Sequence, residues 1–132
     1  MSAFTIDEGD ILEPRARFDE GVVFGVVGGE PVLTVAWRDE IPGTTIDEAV
    51  DEDLRLMSDA VVVDRARGAI GGVECVGTFT LHLAAGGEAT ASEQWRLLAD
   101  GRRWTVSAMS TLTDQPDWGP RLAAVAATFR AG

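Results

Sequence analysis

Residues 72–112, GVECVGTFTLHLAAGGEATASEQWRLLADGRRWTVSAMSTL, decide how the rest of the chain is arranged. Two strand-like runs, 89–98 and 103–112, meet at Asp100-Gly101, a strong two-residue hairpin signal. A third run, 73–83, precedes them across Gly86-Gly87, so the stretch reads as an antiparallel meander. Alternation puts Val73, Cys75, Gly77, Phe79, Leu81 and Leu83 on one face of the first run, with Glu74, Thr78, Thr80 and His82 opposite. Trp95, Leu97, Trp104, Val106, Ala108 and Leu112 continue the apolar face. The other face, with Thr78, Thr80, Arg96, Thr105 and Ser107, is expected to be partly wet. Trp95 and Trp104 are expected to approach each other across the hairpin.

Upstream of the meander, Ala60 to Arg67 reads as a strand and GAIGG (68–72) as a loose turn. Thr45 and Glu48 have capping-box spacing and open a helix to about Ser58. Its apolar stripe is Ile46, Ala49, Val50, Leu54 and Met57; its other face carries Asp47, Glu48, Asp51, Glu52 and Asp53. GVVFGVV (21–27) and VLTVAWR (32–38) form a hairpin around Gly28-Gly29-Glu30-Pro31. Phe4 and Ile6 suggest a short first strand, and Pro14 confines the following segment to an edge or a loop. Downstream, Asp114 or Asp117 caps a last helix that tolerates Pro120 in its first turn. Trp118, Leu122, Val125, Ala126 and Phe129 form its apolar stripe. Strands, helix, a run of strands and a helix make an α+β fold, an antiparallel sheet covered by helices.

The 132 residues, 45% of them hydrophobic, suffice for a single domain spanning 1–132 with its own core. All eleven basic residues are arginine, and Lys, Asn and Tyr are absent, a composition that fits a GC-rich bacterial genome. The net charge of −11 is uneven: residues 1–64 hold sixteen acids against four arginines, and 65–132 hold six against seven. An acidic chain repels phosphate backbones, so no nucleic-acid partner is expected. With neither a signal segment nor a bilayer-length apolar run, no membrane is expected and a cytoplasmic location is.

The chemical inventory is sparse. One histidine and one cysteine cannot assemble the usual zinc sites, the acids lack calcium-loop spacing, and no metal or cofactor is expected. Cys75 and His82 point to opposite faces of one strand, which argues against a nucleophile–base pair. There is no GxSxG, no GxGxxG and no phosphate loop, so no catalytic residues are assigned and the chain is expected not to be an enzyme. Activity built on His82 and nearby acids is the weakest alternative. Of the four tryptophans, Trp95, Trp104 and Trp118 fit the core. Trp37, at a strand end before an acidic loop, is the aromatic to test for partner contact.

Taken together, PVLTVAWRDE, TTIDEAVDEDLRLM, VVVDRARGAIGGVECVGTF, ASEQWRLLADGRRWTVSAMS and the closing AAVAATFRAG resemble the PsbP-like α/β/α sandwich family. That group holds photosystem PsbP subunits, the yeast Ran-binding import factor, DcrB-type lipoproteins and Eag secretion chaperones. The resemblance covers residues 4–130 and implies a sheet between helical layers and a role as adaptor, assembly factor or chaperone. It carries over no catalytic residues.

These readings converge on a non-enzymatic protein-binding adaptor or chaperone-like accessory protein of a bacterial secretion or envelope system. Its expected partner-binding residues are Trp37, Asp47, Asp51, Glu52, Arg96 and Thr105. Homodimerisation through an exposed sheet edge is a further option. The alternative is a small-molecule or lipid-binding domain with a pocket between sheet and helices.

Overall fold

The computed structural model describes residues 4–57, 59–82 and 87–132. These run in the order β1 (Phe4–Thr5), β2 (Leu12–Phe18), β3 (Gly21–Val26), β4 (Val32–Asp39), α1 (Ile46–Leu56), β5 (Ala60–Ile70), β6 (Val73–His82), β7 (Thr90–Ala99), β8 (Arg102–Thr111), α2 (Gln115–Ala126) and β9 (Arg130–Ala131). Seven strands form one antiparallel sheet in the order β2-β3-β4-β8-β7-β6-β5, and β1 pairs separately with β9. Helix α1 lies on one face against β6 and β7, and α2 on the other against β8 and β7. The expected antiparallel sheet between helices is what the chain builds.

At the meander's centre, Asp100 and Gly101 adopt φ values of 55° and 71°, the left-handed pair that a tight primed turn requires. That turn pairs Ala99 with Arg102 and thereby Leu97 with Trp104 and Trp95 with Val106. The two tryptophans expected to meet are therefore diagonal neighbours. Trp104 instead faces Trp37 directly across β4 and β8, with ring centroids 5.4 Å apart. Phe129 approaches Trp104 at 5.3 Å and Phe4 at 5.9 Å, so four aromatic rings form the centre of the α2-side core. Burial on this scale, with Leu33, Val35, Val106 and Leu122 also fully buried, is the main stabilising term of the fold.

Several expectations need correction. The strand read as 60–67 continues to Ile70, and only Gly71-Gly72 turn, with φ values of 61° and 78°. Phe129 lies beyond the end of α2, which stops at Ala126, yet it is fully buried and leads into β9. Pro116 occupies the first turn of α2 and Pro120 sits inside the helix, while the N-cap residue Asp114 makes no side-chain cap. In α1 the capping box forms between Thr45 and Glu48, but burial is confined to Ala49 and Val50. Ser58, expected at the end of the first helix, and Leu83 and Gly86, expected in the meander, lie outside the described residues.

The largest difference concerns the polar sheet face. Thr78, Thr80, Ser92, Arg96 and Arg103 are buried rather than wet. The cause is α1, which covers this face and brings its acids down onto the sheet arginines.

Candidate functional site

Arg96 on β7 and Arg103 on β8 retain only 5% and 3% side-chain exposure. Charges that deep require partners, and α1 supplies them. Asp53 takes Arg96 Nε at 2.7 Å and Arg103 Nη1 at 2.8 Å. Glu40, at the end of β4, pairs with Arg103, and Glu52 bonds Arg38 at 2.9 Å. Farther along α1, Arg65 of β5 bonds Asp51 at 2.6 Å and Asp47 at 3.1 Å, and Arg67 pairs with Asp47 and Glu74. The acidic helix face is thus ion-paired to the sheet beneath it.

The local electrostatics follow from this layer. Hydrogen bonding from Arg103 holds Glu40 below the usual carboxylate range against the opposing effect of burial. Glu52 is lowered by Arg38 and then Arg103, and Asp47 by Arg65 and then Arg67. Burial lowers Arg96, with Asp53 resisting. Arg103 also meets the burial penalty, but bonds to Glu40, Asp53 and Glu52 overcome it and its pKa is raised.

Of the residues expected to bind a partner, Asp47, Asp51, Glu52 and Arg96 therefore belong to the α1 ion layer. Trp37 packs at a tilt against Trp104 and Phe4 in the aromatic core, and Thr105 lines a recess of about 310 Å³ with Trp37, Arg38, Asp53 and Arg103. Sequence reasoning missed Arg103, Glu40 and the bridging role of Asp53. The available signal was two arginines on the covered face of adjacent strands, beside a helix rich in acids.

His82 closes β6, its Nε2 3.2 Å from Thr80 Oγ1. Cys75 is buried, and that burial raises its thiol pKa, with Glu74 adding to the effect. Among the described residues no three His, Cys, Asp or Glu side chains converge as metal ligands. Nor is any helix among them long and apolar enough to cross a membrane.

Two further features lie away from the ion layer. Strand β5 forms one edge of the sheet and is exposed along nearly its whole length, with Val61, Val62 and Val63 at 52%, 45% and 56% exposure. A bulge between Val62 and Asp64 interrupts its pairing with β6. On the α2 side, between β5–β6 and the helix, lies a cleft of about 380 Å³. Its floor is Ala66, Gly68 and Gly77, and its walls include Trp95, Phe79 and Ala123. The carboxylates of Asp64 and Glu93 line it, and burial raises the pKa of Glu93.

No protein-family model matches the chain, and no curated protein matches it by sequence. Solved structures do share its fold. Cyanobacterial PsbP from Synechocystis sp. PCC 6803 superposes with a TM-score of 0.73 at 13% identity, over 98% of this chain and 87% of that one. LpqN of Mycobacterium tuberculosis, involved in cell envelope biogenesis, gives 0.67 at 13% identity over 92% and 78%. PA94 of Pseudomonas aeruginosa, a protein of unknown function, gives 0.67 at 12% identity over 92% and 82%. The chain has the PsbP-like α/β/α sandwich fold.

Proposed function

We propose that this PsbP-like domain is a non-enzymatic, protein-binding accessory factor that engages its partner through the open edge of β5. The observation that carries this reading is the eleven-residue β5, an edge strand exposing three consecutive valines. Unpaired N–H and C=O groups on such an edge are a template for an incoming strand, and apolar side chains beside them add burial to the pairing. Ion pairing within the molecule occupies the acidic helix, so the edge is the better docking surface. The likeness to LpqN supports a setting in the bacterial envelope.

The test is affinity capture from the source organism with the tagged wild type and a Val61→Lys/Val63→Lys variant, with light scattering of each. Retention of one protein at fixed stoichiometry by the wild type alone supports the reading, and a dimer lost in the variant identifies the partner as a second copy. Equal retention by both proteins, or a wild type that is monomeric and retains nothing, overturns it.

A further inference from the structure

The cleft beside α2 is lined in part by β5, but not by its exposed valines Val61, Val62 and Val63, and it lies on the opposite face of the sheet from the ion layer. We propose that it binds an organic ammonium ion carrying a short apolar chain.

The cleft exists because α2 packs chiefly over β8 and β7 and leaves much of β5 and β6 uncovered on that face. Small residues keep it open: a side chain on Gly68 would meet only Cys75 Sγ, at 3.7 Å, while the indole of Trp95 lies over Gly77. Across the floor, Asp64, Phe79 and Glu93 occupy one row of three adjacent strands, so two carboxylates flank one aromatic ring on the same face. Trp95 stands in the next row, opposite Gly77.

The charges in this row are not neutralised from within. Asp47, Asp51, Glu52, Asp53 and Glu40 each have an arginine within salt-bridge range, but among the described residues Asp64 and Glu93 have none. Arg67, whose backbone neighbours the cleft, turns its guanidinium to the other face, where Asp47 and Glu74 hold it. Asp64 is exposed, but Glu93 is half-buried, and a half-buried carboxylate without a cation is destabilised by desolvation that a bound cation relieves. Aromatic faces beside the carboxylates attract the same charge through their quadrupoles, most strongly for a weakly hydrated ammonium. The apolar floor then accommodates the attached chain. An anion meets two carboxylates here, and a neutral apolar ligand leaves them desolvated and unpaired.

The probe is hexyltrimethylammonium, with hexanoate and hexanol as the anionic and neutral compounds of equal chain length. Binding is read from the indole N–H resonance of Trp95, assigned with Trp95→Phe. The expected result is a saturable shift with the cation alone, weakened at least about fivefold by Asp64→Asn or Glu93→Gln. Ala66→Phe, at an exposed position opposite Gly77, fills the floor and abolishes the shift while the melting temperature stays within a few degrees. The proposal is overturned by the absence of a shift at millimolar cation, by equal shifts with hexanoate or hexanol, or by Ala66→Phe or both carboxylate variants binding like the wild type. None of these outcomes bears on whether the β5 edge recruits a protein.

Discussion

Asp53 and Arg96, forty-three residues apart in sequence, are joined by a 2.7 Å bond between a carboxylate oxygen and a guanidinium nitrogen, while the second oxygen of Asp53 holds Arg103 at 2.8 Å. One acid thus bridges two buried cations and fastens α1 to the sheet, while Glu40 supplies a second negative charge at Arg103. Removing one member of such a set leaves uncompensated charge in the interior, which costs about 3–5 kcal/mol. Asp53→Ala is expected to lose stability on this scale in urea denaturation. Asp51→Ala and Asp47→Ala, on the exposed part of the same helix, are expected to lose far less. Equal losses at all three positions would refute the distinction.

Replacing the charges together has a different expected outcome. Buried ion pairs exchanged for apolar groups of similar volume are often neutral or stabilising. Asp53→Leu and Glu40→Leu combined with Arg96→Met and Arg103→Met remove two acids and two cations together, and are expected to be more stable than Asp53→Ala alone. A combined variant as unstable as Asp53→Ala would show that the pairs contribute more than their own compensation.

Acid titration should separate two classes of carboxylate. Glu40 and Glu52 have pKa values below their ordinary 4.5 in the fold, so their stabilisation is present above that value. It is lost as pH falls through the lowered values, because the unfolded chain takes up protons first. Glu93 behaves oppositely: burial raises its pKa, the folded state holds the proton longer, and stability falls as pH rises through that raised value. Glu93→Gln is expected to melt above the wild type at pH 7, with the gap closing toward pH 4. A constant gap across this range would contradict the assignment.

Trp104 is 1% exposed and touches Trp37, Phe4 and Phe129. Trp104→Ala opens a cavity at the centre of the core and is expected to cost about 3–5 kcal/mol, with loss of the near-ultraviolet circular dichroism of the cluster. Trp118→Ala, at a half-buried position on α2, should cost less.

Val61 and Val63 are more than half exposed, so lysine there removes little buried area. Each single substitution is expected to change folding stability by no more than about 0.5 kcal/mol, measured by urea denaturation. A larger loss would mean that the edge valines are needed for folding rather than available for docking.

Much of the fold was legible in local signals. Thr45 and Glu48 marked the start of α1, and Asp100-Gly101 marked the hairpin, because capping and turn chemistry depend on a few neighbouring residues. The extension of β5 to Ile70 was not, since the glycine-containing run 68–72 satisfies either a loose turn or a strand and a two-residue turn. Phe4 and Ile6 marked the first strand, but nothing local marked β9 or its pairing with β1, which joins the two ends of the chain. Among the site residues, acids on α1 and Arg96 were visible as charges. Their mutual pairing was not, because it depends on which face the helix covers.

Alternation and composition by themselves determined an α+β domain, an antiparallel meander with one apolar face, an acidic first half and a sparse catalytic inventory. Period-two patterning assigns residues to opposite faces of a strand without saying what lies over each face. Only the tertiary structure decided that α1 lies over the face carrying Thr78, Arg96 and Arg103, converting an apparently solvated surface into a buried ion layer. The same arrangement, with α2 set over β7 and β8, left the β5 edge bare and opened the cleft between Asp64 and Glu93. Burial and charge pairing are set by elements far apart in sequence, so they are properties of the packed layers rather than of any one stretch.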